Sequence, residues 1–334
     1  MLQNTTTSAN LRKFSNFALV TGAFVLATAC VSPSTANSLV LSNGRNGDTT
    51  SDNILVPAGV KAGGADSTSG DVLLETDASA TVIDTSSGDV FLADRAQADS
   101  VDTSSGNVTL ARNARVLGRI DVSSGDVTLG AGASSGVIDT GSGRVAIGAG
   151  ARCRDIDTGS GSVALGQGAI SGTIDTGSGN VNLSEQAHSA DVDTGSGSVT
   201  LGTGAHVDGI IDTGSGSVKA NGAVITGHID TGSGDVLLND AVVQANVLTR
   251  SGRVDLSGNT RVDGALEVRS SECGGWFNVA CNENPRTTVV IGAGVTVRGP
   301  VIVRENVTLY IHSTAHTGPV QGGTAIRFDA ERPQ

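Results

Sequence analysis

One acidic residue recurs at a fixed place in a repeated unit, and this column of carboxylates is the first feature that could do chemistry. The unit reads Asp-Thr-x-Ser-Gly in most copies, and its aspartates are Asp66, Asp84, Asp102, Asp121, Asp139, Asp157, Asp175, Asp193, Asp212 and Asp230. If the units stack as neighbouring strands, successive carboxylates lie ~4.8 Å apart. Two such charges repel each other by about 0.9 kcal/mol even in bulk water. Some interaction must therefore offset the repulsion.

Two roles for these aspartates follow from their chemistry. Each side chain could accept the N–H groups two or three residues later and so cap its own turn. Alternatively, cations could bridge neighbouring carboxylates, because carboxylate oxygens suit Ca²⁺. The sequence lacks the Gly-Gly-x-Gly-x-Asp nonapeptide of calcium-binding β-rolls. We expect a structural ladder, with Ca²⁺ as the alternative and no other cofactor.

Several copies of the unit contain Asp-Thr-Gly-Ser, as at residues 139–142 and 157–160. This string also surrounds the carboxylates of aspartic proteases, whose chemistry needs two carboxylates that share one proton across a cleft. Copies that follow each other in register form one ridge instead. The sequence contains no phosphate-binding loop, no CxxC pair and no Ser/His/Asp set. We therefore predict that the chain has no catalytic residues and is not an enzyme.

The histidines are sparse. His188 and His206 share a repeat position and should stack, whereas His228, His312 and His316 stand elsewhere. The pair could hold a metal ion or simply face solvent; we expect solvent-facing side chains and assign no metal ligand.

The cysteines suggest three different roles. Cys153 occupies a position that neighbouring units fill with Ser171 and Ser189, so we expect a small inward residue, with a reactive thiol or an intermolecular disulfide as the alternative. Cys273 and Cys281 enclose seven residues, among them the only Trp, and could close a loop in an oxidising compartment. Cys30 belongs to the N-terminal segment described below.

The elements that position these residues follow from a repeat of about 18 residues. The Gly of the Ser-Gly pair stands at positions 70, 88, 106, 125, 143, 161, 179, 197, 216, 234 and 252. Val follows this Gly by two residues, Leu or Ile usually follows it by four, and Ile or Val usually precedes it by five. Val-x-Leu alternates with period two and the apolar positions are largely β-branched, which favours strands. Each Gly would also cost a helix about 1 kcal/mol relative to Ala.

The composition agrees with a thin, regular core. The 334 residues include 47 Gly, and only 2% are aromatic. One unit alone cannot bury its apolar side, but stacked units bury Val, Ile, Leu and Ala against their counterparts one coil away. We predict an all-β fold, a parallel β-solenoid of 18-residue coils whose handedness the sequence leaves open. At the Gly-Ser-Gly corner we expect glycine to adopt positive φ, which turns the chain sharply.

The N-terminal residues are typical of an export signal. Arg12 and Lys13 precede a short apolar stretch, residues 17–29, which ends in a small-x-small pattern. Cys30 follows at once, and the string Leu-Ala-Thr-Ala-Cys resembles a bacterial lipobox. The resemblance implies cleavage after Ala29, acylation of Cys30 and sorting to the outer membrane or cell surface. A soluble secreted or periplasmic protein and an uncleaved anchor are the alternatives.

The period sets the remaining boundaries. It continues beyond the Ser-Gly motif, because Val289 and Ile291 recur as Val307 and Leu309. The predicted segments are a signal peptide at 1–29, a flexible polar tether at 30–52, solenoid repeats at 53–272, a disulfide-closed loop at 273–285, C-terminal coils at 286–320 and a tail at 321–334.

The charge excludes one class of partner. The formal net charge is −12, and residues 1–29 carry two cations and no acid, so the chain after cleavage carries −12 − 2 = −14. Such a surface repels nucleic-acid phosphates and anionic lipid headgroups. We expect no nucleic-acid binding, and contact with a membrane only through a lipid anchor.

Two families resemble parts of the chain. The Asp-Thr-x-Ser-Gly-x-Val units, over roughly residues 66–256, are similar to a bacterial adhesin-type repeat family. The segment Val-Val-Ile-Gly-Ala-Gly-Val-Thr-Val-Arg-Gly, residues 289–299, looks like the coils of bactofilins, which are filament-forming β-helical scaffolds. Both resemblances imply a β-helix.

The expected function is a structural or interaction role: a lipid-tethered rod for adhesion or envelope scaffolding, with an envelope or surface protein or polysaccharide as its partner. A polymerising scaffold that self-associates and a polysaccharide-acting β-helix enzyme are the alternatives.

Overall fold

The triplets Val-x-Leu and Ile-Asp-Thr form short parallel strands, each paired with the equivalent triplet of a neighbouring repeat. The computed structural model describes residues 38–269, 287–304 and 307–333. All regular structure in these ranges is β, with no helix. The strands form three parallel sheets, named here A, B and C, with about 18 residues from one strand to the next in each sheet. The predicted all-β parallel β-solenoid of 18-residue coils is therefore confirmed.

The chain divides into two compact units at residue 136. In the first unit, sheet A holds the Val-x-Leu strands and sheet B holds the strands that carry the aspartates. Sheet A contains β1 (Ser38–Val40), β3 (Asn53–Val56), β5 (Val72–Leu74), β7 (Val90–Leu92), β9 (Val108–Leu110) and β12 (Val127–Leu129). Sheet B contains β2 (Gly47–Thr49), β4 (Ala65–Ser67), β6 (Ser79–Thr85), β8 (Gln97–Thr103) and β11 (Ile120–Val122), and β10 (Arg115–Val116) pairs with β8.

The second unit repeats this pattern and adds sheet C. Its sheet A strands are β14 (Val145–Ile147), β16 (Val163–Leu165), β18 (Val181–Leu183), β21 (Val199–Leu201), β24 (Val218–Asn221), β27 (Val236–Asn239), β30 (Val254–Ser257), β33 (Thr287–Ile291), β36 (Val307–His312) and β39 (Ala325–Phe328). Its sheet B strands are β13 (Ile138–Thr140), β15 (Ile156–Thr158), β17 (Ile174–Thr176), β20 (Val192–Thr194), β23 (Ile211–Thr213), β26 (Ile229–Thr231), β29 (Val247–Thr249), β32 (Leu266–Val268), β35 (Val301–Ile302) and β38 (Val320–Gln321). Sheet C contains β19 (His188–Ser189), β22 (His206–Val207), β25 (Val224–Ile225), β28 (Val242–Val243), β31 (Arg261–Val262), β34 (Thr296–Val297) and β37 (His316–Thr317).

The core consists of columns of identical or similar side chains. In β17, for example, Ile174 and Thr176 point inward and are fully buried, whereas Asp175 between them is exposed. Each inward Val, Leu or Ile meets its counterpart on the neighbouring strand, as in the pairs Ile156↔Ile174 and Val163↔Val181. Burial of each such side chain contributes about 1.5–3 kcal/mol to stability. The predicted interior of Val, Leu, Ile and Ala is confirmed.

The reason for glycine at the Ser-Gly corner differs from the prediction. Apart from Gly322, the glycines with positive φ lie at another corner, in turns that follow sheet A strands, as at Gly150 and Gly168. Gly179, a glycine of the Ser-Gly pair, has no positive φ, and a Cβ added there would overlap the carbonyl oxygen of Gly161 on the neighbouring coil. Glycine is therefore required by the close approach of two backbones rather than by a left-handed turn.

The coils also extend beyond the boundaries expected at both ends. Strands β1 and β2 lie within residues 30–52, where we expected a flexible tether, and β39 lies within the expected tail 321–334. Sequence reasoning missed the first two strands because their inward residues, such as Leu39 and Gly47, depart from the Ile-Asp-Thr and Val-x-Leu pattern. The segments predicted as signal peptide and disulfide loop, residues 1–29 and 273–285, lie outside the described residues.

Candidate functional site

The predicted aspartate column lies on the outer face of sheet B. Parallel pairing places its members directly opposite one another, as in Asp157↔Asp175 and Asp175↔Asp193. In the first unit the column is Asp48, Asp66, Asp84, Asp102 and Asp121, and in the second it is Asp139, Asp157, Asp175, Asp193, Asp212 and Asp230. Asp48 was missed because Asp-Thr-Thr-Ser-Asp, residues 48–52, lacks the Gly of the Ser-Gly pair. The column therefore presents one carboxylate per turn to solvent.

Threonine, not aspartate, caps the turn that follows. Thr176 is fully buried; its Oγ1 accepts the N–H of Gly179 at 2.9 Å and its hydroxyl donates to the carbonyl of Gly161 at 3.2 Å. The N–H groups that Asp175 was expected to cap lie on Gly177 and Ser178. The N–H of Gly177 donates instead to the carbonyl of Thr158 on the neighbouring coil. The prediction that each aspartate caps its own turn is therefore wrong at this coil, because the strand directs the carboxylate outward.

The same arrangement recurs along the column. The N–H of the Ser-Gly glycine donates to the side-chain oxygen three residues earlier at Ser67, Thr85, Thr103, Thr140, Thr158, Thr194 and Thr249.

Carboxylates do accept backbone N–H groups at a different position, the residue directly after the Ser-Gly pair. Asp71 accepts the N–H of Asp89 at 3.0 Å, and Asp89 accepts the N–H of Asn107 at 2.8 Å, each across one coil. Asn180 and Asp235 do the same for Ser198 and Arg253. Sequence reasoning missed this second polar ladder, although the recurrence of Asp, Asn and Ser after each Ser-Gly pair was a visible signal.

The electrostatics of the column are repulsive at its centre. Partial burial and the neighbouring charges of Asp175 and Asp212 raise the pKa of Asp193 above its ordinary value. Capping would have lowered this pKa instead, because hydrogen bonds to a carboxylate favour its ionised form. A row of ionised carboxylates held in register can attract cations or a cationic partner surface.

The column changes character toward the C-terminus. Leu248 pairs with Asp230 and takes its place, and Glu267 follows on the next strand. Glu267 Oε1 accepts a hydrogen bond from Arg269 Nε at 2.8 Å, and this contact holds the pKa of Glu267 below its usual range. The uninterrupted run of acids in the second unit therefore ends at Asp230.

The two histidines predicted to stack are brought together on sheet C. His188 pairs with His206 in register, and their ring centroids are 5.0 Å apart. Asp208 joins them: its Oδ2 lies 2.6 Å from His188 Nε2 and its Oδ1 lies 2.9 Å from His206 Nε2. These contacts hold the pKa of Asp208 below its ordinary value, chiefly through the hydrogen bond from His188. Sequence reasoning did not find Asp208, because the neighbouring coils carry Ala190 and Thr226 at its place, so the position shows no recurring acid.

Cys153 is a buried core residue, as predicted. Burial raises the pKa of its thiol to about 12, so the thiolate that would react or bind metal is scarce at neutral pH. Cys30, Cys273 and Cys281 lie outside the described residues, so acylation of Cys30 and the Cys273–Cys281 disulfide stay predictions.

A shallow groove on the outer face of sheet A is lined by Arg253, Asp255, Thr288, Val290, Tyr310, Arg332 and Pro333. It contains a single carboxylate, Asp255, which is ion-paired with Arg253 at 2.5 Å.

No helix in the described part of the chain is long and apolar enough to cross a membrane.

The fold and the surface columns define a parallel β-solenoid repeat protein. No family model, curated protein or solved structure matches the chain. The resemblances to adhesin-type repeats, bactofilins and lipoproteins therefore rest on their sequence motifs alone.

Proposed function

We propose that this chain is an exported, non-enzymatic structural or interaction protein, tethered by a lipid at Cys30, that presents its solenoid surface to other envelope components. The observation that carries the proposal is the aspartate column of sheet B. At the coils where the hydrogen bonds of the corner are described, buried Thr or Ser caps the turn, yet an acid recurs on the outer face strand after strand. A surface carboxylate that recurs although its neighbour caps the turn is best explained by what it contacts outside the chain.

The column favours a partner with repeated positive charge. Carboxylates spaced ~4.8 Å apart match a basic protein segment or a cationic polysaccharide better than a compact ligand. The same charge opposes binding to nucleic acid or to anionic lipid headgroups. Adhesion and envelope scaffolding are the two roles that such a surface serves.

The test is binding of the full chain to isolated cell envelopes. We expect replacement of Asp157, Asp175, Asp193 and Asp212 by Asn to reduce binding at least tenfold, because four adjacent charges leave the contact surface. The control changes three exposed acids away from the column, Glu185, Asp329 and Glu331, to their amides, and so removes a similar charge from elsewhere on the surface. Equal binding by parent, column variant and control would contradict the proposal.

The tether has its own test. The apolar stretch and the small residues before Cys30 support cleavage and acylation there. We expect Cys30→Ser to release the protein from the membrane fraction, whereas Cys153→Ser, at a buried position, should leave its distribution unchanged. An unchanged distribution of the Cys30 variant would show that the lipobox interpretation is wrong.

One feature of the C-terminal coil opposes the alternative of end-to-end polymerisation. Arg327 pairs with Ile311 and so occupies an inward register position in β39. Among the described residues β39 is an edge strand of sheet A, and a charged residue in such a position on an edge strand disfavours pairing with another copy. We therefore favour display of the acidic face over self-association as the function of the chain.

A further inference from the structure

We propose that His188, His206 and Asp208 form a binding site for a divalent transition-metal ion of borderline softness, and that this ion is Zn²⁺. The two imidazoles would supply one Nε2 ligand each, and the carboxylate would supply one oxygen. The inference rests on the placement of these three side chains and is independent of the function proposed above.

The solenoid brings the ligands together without any loop closure. The outward column of sheet C and its adjoining bridges runs Arg152, Ile170, His188, His206, Val224, Val242 and Arg261. Histidine thus occupies two consecutive places in a column whose neighbouring members are apolar. Because parallel strands are locked in register, the two rings are held side by side on a rigid scaffold.

The ligand atoms already converge. Nε2 of each histidine contacts one oxygen of the same Asp208 carboxylate, at 2.6 and 2.9 Å. All of the candidate ligand atoms lie within 4.8 Å of one another. Two ligands of one tetrahedral Zn²⁺ lie about 3.3 Å apart, given bond lengths of about 2.0–2.2 Å. Small side-chain rotations therefore suffice to place an ion between the three groups.

The surroundings suit an ion that enters from solvent. The side chains of His188, His206 and Asp208 are 38%, 35% and 59% exposed, so the ion can reach them directly. Thr226 Oγ1 lies 3.4 Å from His206 Nε2 and can hydrogen-bond a water in a remaining coordination position. Apolar Ile170 and Val224, next to the histidines in the column, limit competing water on either side.

The donor set selects the metal. Imidazole nitrogen suits Zn²⁺, Ni²⁺ and Cu²⁺, whereas Ca²⁺ and Mg²⁺ prefer oxygen ligands throughout. To bind, each histidine must present an unprotonated Nε2 and keep its proton on Nδ1, so the ion replaces the Nε2–H hydrogen bonds that now reach Asp208. Asp208 then serves as a ligand instead of an acceptor.

Isothermal titration of the tag-free full chain with Zn²⁺ tests the proposal. We expect one equivalent of Zn²⁺ to bind, and excess Ca²⁺ should not displace it. His188→Ala and Asp208→Asn should each lower the Zn²⁺ affinity at least tenfold, since even the loss of an outer-shell partner costs that much. The matched control is His316→Ala, which removes an exposed histidine from the same sheet.

A readout on the parent protein guards against misfolded variants. Zn²⁺ should shift the imidazole NMR resonances of His188 and His206 and leave those of His316 in place. Co²⁺ bound at this site should lack a thiolate charge-transfer band, which separates it from binding at the cysteines. No Zn²⁺ binding by the parent, or the same binding by parent and site variants, would mean that the three side chains are only a surface ion pair.

Discussion

At the scale of single residues, buried threonine joins neighbouring coils at Thr85, Thr158, Thr176 and Thr194. Thr176 satisfies one N–H and one carbonyl that the Ser-Gly corner leaves unpaired, and no water can reach either group because the side chain is fully buried. Buried backbone groups without partners are costly, so a hydroxyl in this place is worth more than the methyl that would fill the same volume.

Replacing the hydroxyl should therefore destabilise the fold. We expect Thr176→Val to lower the free energy of unfolding by about 1–3 kcal/mol, because the N–H of Gly179 and the carbonyl of Gly161 lose their partner. Thr176→Ser should lose less, since it keeps the hydroxyl. Chemical denaturation measures the difference. The control Thr200→Val alters an exposed threonine of sheet A, and an equal effect at both positions would contradict the role assigned to Thr176.

A second residue-scale prediction concerns a hydroxyl without a partner. Ser189 is fully buried beneath the histidine pair, and its Oγ makes no hydrogen bond within the described residues. We expect Ser189→Ala to raise the free energy of unfolding by about 1 kcal/mol, because an unsatisfied buried polar group is removed. Ser135→Ala should be destabilising instead, since the Ser135 hydroxyl donates to the Gly136 carbonyl. A Ser189→Ala variant less stable than the parent would contradict the prediction.

Sequence reasoning reached part of this residue-scale picture. The aspartates and the histidine pair could be aligned from the period alone, and the structure places them in register. The capping role was assigned to Asp instead of Thr because the two are neighbours in most units, and only the strand geometry decides which one points inward. Asp208 could not be found because it departs from the repeat, and a periodic pattern carries no information about single departures.

At the scale of elements, backbone contact between neighbouring coils sets the composition of the corners. Within each unit, Ser-Gly glycines approach the carbonyl of the corresponding glycine one coil earlier, as Gly179 approaches Gly161 and Gly106 approaches Gly88. The period predicted these corners, but their conformation depends on the distance between two coils. That distance is a property of the stack and cannot be read from one repeat.

Adding a methyl group at such a corner should force two coils apart. We expect Gly179→Ala to lower the free energy of unfolding by about 1–3 kcal/mol, as for other overpacked positions. Gly64→Ala is the matched control: its Cβ would meet Val82 O at an ordinary 3.7 Å, and it should be neutral or slightly stabilising. Thermal melts of the two variants measure the difference, and equal melting temperatures would refute the close-contact explanation.

At the scale of the whole molecule, the acidic surface opposes the compact state. Carboxylates in one column repel each other, and the raised pKa of Asp193 reports this repulsion together with partial burial. A carboxyl group whose pKa is raised by folding destabilises the fold while ionised, and the loss is recovered as the pH falls through that pKa. Asp77 and Asp208, whose pKa values are lowered by Arg95 and His188, contribute stability above the unfolded pKa and lose it on acidification.

Neutralising one member of the column should separate these effects. We expect Asp193→Asn to raise the melting temperature at pH 7, because two repulsive contacts with Asp175 and Asp212 disappear. The gain should shrink in added salt, which screens exposed charges, and should fade near pH 3, where the parent carboxyl is itself protonated. Asp329→Asn, outside the column, should show no such pH dependence. A destabilised Asp193→Asn variant at pH 7 would mean that the carboxylate makes a favourable contact.

Calcium offers the final test of what the column does. If Ca²⁺ bridged neighbouring carboxylates, it would bind the folded state and not the unfolded state. The folded state would then be stabilised by RT ln(1 + [Ca²⁺]/Kd), which reaches about 2.7 kcal/mol at a hundredfold excess over Kd. Each pair of adjacent aspartates offers at most four oxygens, whereas Ca²⁺ takes 6–8 ligands. We therefore expect millimolar Ca²⁺ to raise the melting temperature by only about 1–2 °C, with Mg²⁺ at equal ionic strength doing the same through screening. The opposite result is a rise above ~10 °C that a chelator abolishes. If that rise is also absent from the variant with Asn at positions 157, 175, 193 and 212, the column is a calcium-binding array.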